Sequence, residues 1–220
     1  MRWFSALAAL VPFCLILLSP AQSEPPERSA VEFRLEFGEH ALSKDLHQLA
    51  LWLETPEGEF LDTVYVTGKV GKQGLGNGYM KVGRLTVREA PDSLPVWAHA
   101  RGVRYGESYY PPKDHPLPDA ITGATPKAKE FTRTFALLPE LRQKLHGAQV
   151  VCAAELNVSR LGGASLIFKG TLDLAKAEPV PLLFVGTGDP KGATGKITPD
   201  TKGRHRPGAY LAGGSVSLVE

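Results

Sequence analysis

The sequence predicts an all-β protein, an antiparallel β-sandwich with one or two short helices and a Gly/Pro-rich C-terminal extension. Three observations carry that expectation. Val31-Glu32-Phe33-Arg34-Leu35-Glu36-Phe37 alternates apolar and charged without a fault, the period of a strand with one dry face and one wet face. Further short apolar runs recur between Pro and Gly breaks. Helical signals are few, and many short strands with regular breaks form the pattern of a sandwich.

Residues 1–23 read as a secretory signal peptide. Arg2 supplies a positive start, Leu7 to Leu18 is an apolar run broken by Pro12, and Ala21-Gln22-Ser23 offers small residues for cleavage. The run is too short and too broken to span a membrane. The mature chain is expected to begin near Glu24 and to be periplasmic or otherwise extracytoplasmic, with a retained, uncleaved anchor as the alternative. Val11-Pro12-Phe13 are too bulky for lipoprotein processing at Cys14. Residues 24–30 are expected to be a disordered, charged leader.

Residues 31–175 are expected to form the sandwich domain. After the 31–37 strand, Ala41 to Gln48 is a candidate turn of helix. Gln48 to Glu54 and Leu61 to Val70 flank the turn Pro56-Glu57-Gly58-Glu59 and read as a hairpin. Gly71 to Gly78 holds four glycines in eight residues and reads as a mobile loop. Arg84 to Glu89, Val96 to Val103, Gln149 to Ser159 and Ser165 to Leu174 are further strand candidates. Pro139 at a first helical position, Leu141 and Leu145 four apart and Gly147 as a stop predict one helix. Residues 176–220 are expected to be an irregular extension packing on or near the domain. Within it Leu182 to Val185 is a short strand, and Gly186 to Gly208 gives no physical reason for tight folding. Gly214 to Val219 alternates again and suits an edge of the sandwich.

The composition excludes several function classes. Lys plus Arg number 25 against 23 Asp plus Glu, and losing Arg2 with the leader leaves 24 against 23, with the signs mixed along the chain. A nucleic-acid binder would cluster its basic residues among aromatics. The mature chain keeps one cysteine, Cys152, inside the apolar run Val150 to Ala154, so no intramolecular disulfide is possible and an inert buried thiol is expected. Histidines 40, 47, 99, 115, 146 and 205 show no metal-ligand spacing. Gly186 to Ile197 fails as a phosphate loop, since Pro190 stands at the first required Gly and Ile197 at the Mg²⁺-binding hydroxyl. No Gly-x-Ser-x-Gly elbow appears. Asn157-Val158-Ser159 is a formal glycosylation sequon, relevant only in a eukaryotic secretory pathway.

The candidate site is Asp119-Ala120-Ile121-Thr122-Gly123-Ala124-Thr125. It follows a segment with four prolines in eight residues, 111–118, whose backbone is confined to the surface. Its last residue, Thr125, offers a hydroxyl behind Gly123 and Ala124, which leave room for a bulky partner. Asp119 lies six residues upstream. An alternative reads Thr125-Pro126 as a helix N-cap and first position, with Gly123 in a turn.

The heptapeptide resembles the acceptor motif of flavinylated extracytoplasmic proteins, Asp-x-x-[Ser/Thr]-Gly-Ala-[Thr/Ser], and matches it throughout. In that family a flavin transferase joins FMN through its phosphate to the final hydroxyl as a phosphoester. The resemblance implies Thr125 as acceptor, with Asp119, Thr122, Gly123 and Ala124 as recognition positions. Asp119 would then help the transferase hold Mg²⁺ and the diphosphate.

From about Leu49 to Leu172 the chain is also similar to the DUF2271 family of predicted periplasmic proteins. The similarity rests on the Trp-bearing strand and acidic Gly turn, Leu49 to Thr63, and on Asp119 to Pro126. Phe131 and Phe135 stand where that family places a Trp strand. The DUF2271 resemblance fixes architecture better than activity. The heptapeptide resemblance, with the export signal, implies an exported carrier of covalent FMN for extracytoplasmic electron transfer rather than a catalyst with its own substrate, and a membrane-bound reductase as electron donor. The alternative is a flavin-free envelope β-sandwich binding module. Trp97, Tyr105, Tyr109 and Tyr110 are candidates for stacking on a flavin, with ordinary core or loop roles as the alternative, and His115 is a candidate proton donor.

Overall fold

The computed structural model describes residues 30–42, 47–74, 79–81, 84–86, 92–145, 149–157, 164–176, 178–200 and 206–220. The strands are β1 Ala30–Phe37, β2 Gln48–Glu54, β3 Phe60–Thr67, β4 Tyr79–Lys81, β5 Arg84–Thr86, β6 Thr122–Gly123, β7 Glu130–Ala136, β8 Gln149–Asn157, β9 Leu166–Asp173, β10 Val180–Pro181, β11 Leu183–Thr187 and β12 Leu211–Val219. The short helices are α1 Glu39–Leu42, α2 Gly68–Gln73, α3 Pro95–Arg101 and α4 Pro139–Lys144. A four-stranded antiparallel sheet runs β10-β12-β1-β7, and a six-stranded sheet runs β11-β9-β8-β2-β3-β6. The sandwich expected from the sequence is therefore the fold. Its six-stranded sheet is mixed, because β3 and β6 pair in parallel.

The alternation in β1 sends Val31, Phe33, Leu35 and Phe37 inward, against Leu49, Leu51 and Leu53 of β2 and Cys152, Ala154 and Leu156 of β8. A second apolar layer covers the other face of the six-stranded sheet. There Ala50, Trp52, Val66, Ala153 and Ile167 meet Val70 of α2, Leu94, the α3 residues Val96, Trp97 and Ala98, and Tyr110. Burial on both faces explains why β2 is apolar almost throughout. Both buried tryptophans keep a polar partner. The Trp52 indole N–H donates to Glu54 at 2.7 Å, with Lys169 on the second carboxylate oxygen, and the Trp97 indole N–H donates to the Thr63 hydroxyl at 3.0 Å.

Three elements differ from expectation for identifiable reasons. Val96 to Val103 is not a strand; Pro95 starts α3 and Gly102, at φ +67°, ends it. The buried carboxylate of Glu155 on β8 accepts the Val96 and Trp97 N–H groups at 3.2 and 2.7 Å, satisfying donors that a helix start leaves free. The hairpin strand expected to reach Val70 stops at Thr67, and the chain turns into α2, closed by Gly74 at φ +60°. In the C-terminal segment the Asp189 carboxylate accepts the Lys191 and Thr194 N–H groups at 2.9 and 3.0 Å, holding a loop that the composition gave no reason to fold. Gly186 pairs with β9, and β12 fills an interior position between β10 and β1 instead of closing an edge.

The hairpin turn at Thr55 to Glu59, the helix at Pro139 and the strands β8 and β9 lie where the sequence puts them. Cys152 is buried and burial pushes its thiol pKa up, so it stays protonated. The signal peptide, residues 24–29 of the leader, residues 43–46 of the first helical candidate, 75–78 of the glycine loop, 87–89, the Gly147 stop, 158–159 of the sequon and 201–205 lie outside the described residues.

Candidate functional site

The heptapeptide is built into the edge of the six-stranded sheet. Thr122 and Gly123 form β6 opposite Val66 and Thr67, and the Val66 N–H donates to the Ile121 carbonyl at 2.8 Å. The Tyr65 hydroxyl donates to the Ala124 carbonyl at 2.5 Å. Arg133 of β7 donates to the Ala120 carbonyl, and its guanidinium lies 5.9 Å from the Tyr65 ring centre. Burial raises the Tyr65 pKa to about 12 against the opposing charge of Arg133, so the hydroxyl remains a donor. Lys72 of α2 pairs with Asp119, whose side chain is otherwise 89% exposed. The Thr122 hydroxyl donates to the Pro118 carbonyl at 3.2 Å.

Two glycines allow this close fit. A Cβ on Gly123 would lie 2.7 Å from Cε2 of Tyr65. A Cβ on Gly71 would lie 2.7 Å from Val66 Cγ1 and 2.9 Å from Thr122 Cγ2, so α2 rests directly on β6. Beside this contact opens a cavity of about 610 Å³, walled by Gly68, Lys69, Lys72 and Gln73 of α2 and by Gly123, Ala124, Thr125 and Lys127. Its size suits a small-molecule site. Among the described residues three lysines and no acidic residue line it. Lys72 is engaged with Asp119, whereas Lys69, Lys127 and the Thr125 hydroxyl have no polar partner among the described residues.

All five residues marked by the sequence thus fall in one place: Asp119 at the rim, Thr122 and Gly123 in the sheet, Ala124 exposed and Thr125 half-buried on the cavity wall. No helix begins at Thr125. Pro126 is buried and the chain runs on without helical structure to β7, so the N-cap reading is replaced by an edge strand that ends at Gly123.

The aromatic candidates go elsewhere. Trp97 and Tyr110 belong to the second apolar layer, Tyr109 packs on His99 at 4.0 Å between ring centres, and Tyr105 faces His115 at 6.4 Å. His115 lies 3.4 Å from Asp114 and, like these aromatics, does not line the cavity.

Spacing along the chain did not reveal Lys69, Lys72, Tyr65 or Arg133, because the β3–β6 pairing and the β7 edge bring them to the heptapeptide. Lys127, two residues past Thr125, was within reach of a local reading. Comparison with protein-family models, curated proteins and solved structures gives no significant match. The chemistry of the site therefore rests on its own residues.

Those residues fit a phosphate ester. Ammonium groups recognise phosphate as point charges, and Thr125 lines the same space. Among the described residues no aromatic side chain lines the cavity, so these residues would not enclose a heteroaromatic ring carried on such a phosphate by stacking.

Proposed function

We propose that this protein is an exported β-sandwich carrying FMN as a phosphoester on Thr125, and that it relays electrons outside the cytoplasm without a substrate of its own. The observation that carries this reading is the coincidence of the intact acceptor heptapeptide with a lysine-lined cavity at its final hydroxyl. A phosphodiester bears one negative charge, which Lys69 and Lys127 would neutralise; Lys72 would hold Asp119 at the rim. When attached, the flavin supplies the electron chemistry and the chain supplies orientation and charge. An unenclosed ring suits exchange with other proteins, with a membrane-bound flavin or haem reductase as donor. The same reading keeps the likeness to the DUF2271 proteins and the expected export signal.

The partner that makes the bond would be a flavin transferase using a flavin adenine dinucleotide. The Thr125 oxygen would bond to the phosphorus on the flavin side, the diphosphate bond would break, AMP would leave and the hydroxyl proton would pass to a base of the transferase. Asp119 is exposed enough for such an enzyme to reach, at the cost of its pair with Lys72. Co-expression with a transferase, followed by denaturation, should leave flavin fluorescence on the polypeptide. Thr125→Ser should keep the label and Thr125→Ala should lose it; a label retained by Thr125→Ala defeats the proposal. The rival reading, a flavin-free envelope binding module, draws support from the bonds that tie the heptapeptide's carbonyls to the body of the fold. An intact mass of the native protein equal to the bare mature chain decides for that rival.

A further inference from the structure

We infer that the cavity between α2 and the heptapeptide is a phosphate-recognition site in its own right, in which Lys69 and Lys127 hold a phosphomonoester reversibly, without any covalent bond to Thr125. It uses the site of the proposed attachment and depends on that reading only for the identity of the ester as FMN. The first argument is local charge. The whole chain carries 25 Lys plus Arg and 23 Asp plus Glu, yet among the described residues the cavity wall holds three lysines and no acid. Like charges facing one space repel, and an anion between them removes that cost.

The second argument is pairing. Lys72 already has Asp119, which leaves Lys69 and Lys127 as two lining lysines with no partner among the described residues. One comes from α2 and the other from the segment after Thr125, so an anion bound to both would bridge helix and heptapeptide. The third is access. Gly68, Gly123 and Ala124 add at most a methyl group to the walls of a cavity of about 610 Å³, which leaves room for a phosphate group. The Thr125 hydroxyl would donate to the same anion.

The test uses the full mature chain made without a transferase, so that Thr125 is unmodified. Binding of FMN, riboflavin and inorganic phosphate is measured by calorimetry and equilibrium dialysis at low and raised salt. FMN should bind, inorganic phosphate should compete with it, riboflavin should not bind, and raised salt should weaken the complex. The double variant Lys69→Gln/Lys127→Gln should bind FMN about tenfold more weakly or worse, as loss of charge-assisted hydrogen bonds requires. Near-UV circular dichroism checks that this variant is folded, and Lys144→Gln, outside the cavity, serves as an unchanged control. Thr125→Ala should keep reversible binding while losing any covalent label. Riboflavin binding as well as FMN overturns the inference, as does wild-type affinity in the lysine double variant or no binding of either FMN or phosphate. If reversible binding follows these lysines but no label ever forms, the attachment reading fails alone; if Thr125 is labelled and the lysines do not matter, this inference fails alone.

Discussion

Gly123 serves the fold before it serves any modifying enzyme. Its missing side chain reads in the sequence as room for a bulky partner, and in the structure the room is filled by the ring of Tyr65, whose hydroxyl holds the next carbonyl. Gly123→Ala should therefore cost about 1–3 kcal/mol, the range for forcing a methyl group into a packed contact. Urea unfolding measures it, and the combination with Tyr65→Ala should cost less than the two single changes added together. The loss says nothing about flavin, since the clash arises with or without a cofactor. At this scale the heptapeptide was legible as a candidate segment, because it is local. Its basic wall was not, because a lysine in a sequence reads as solvated until a long-range pairing says what it faces.

Among the elements, α3 is the one whose type reversed. Val96 to Val103 is apolar and β-branched enough to read as a strand, yet Pro95 and Gly102 bracket a helix whose first N–H groups meet Glu155, a residue far along the chain. Glu155 is fully buried; burial pushes its pKa up to about 7, against hydrogen bonds from Ser165, Trp97 and Val96. Between pH 4.5, the value for an unburied glutamate, and about 7, the folded protein thus keeps a proton that the unfolded chain has released. Stability from this group is present at the acid end and is lost as the pH rises through that window. The loss amounts to about 3 kcal/mol at about 1.4 kcal/mol per pKa unit. Urea midpoints at pH 5 and pH 8 should fall more steeply for the wild type than for Glu155→Gln. Glu155→Ala, which strands two buried N–H groups, should be destabilised at both. β1 was legible from its uninterrupted alternation and β2, β8 and β9 from apolar runs bounded by breaks; β6 was not, since two residues make no period.

For the whole molecule, the two sheets and the layer that α2, α3 and Tyr110 lay over the six-stranded one make burial on both faces the organising fact. The sandwich itself was legible from strand density. The role of the C-terminal segment was not, because Gly and Pro conceal how Asp189 and Gly186 fit the chain to its surroundings. Deleting residues 211–220 removes β12 with buried Leu211, Val216 and Leu218. At roughly 1.5–3 kcal/mol for each buried aliphatic side chain, that loss rivals the 5–15 kcal/mol total stability of a domain. The truncated chain should show no cooperative thermal transition, and a sharp one would contradict the interior placement of β12. The pairing of β12 with β1 joins Ala30 to Val219, almost the full span of the described chain. A ribosome or an export channel that releases the N-terminus first thus delivers β1 long before its neighbour. Hairpins such as β2–β3 and β8–β9 can form as they emerge, but the four-stranded sheet is completed only when the last strand arrives.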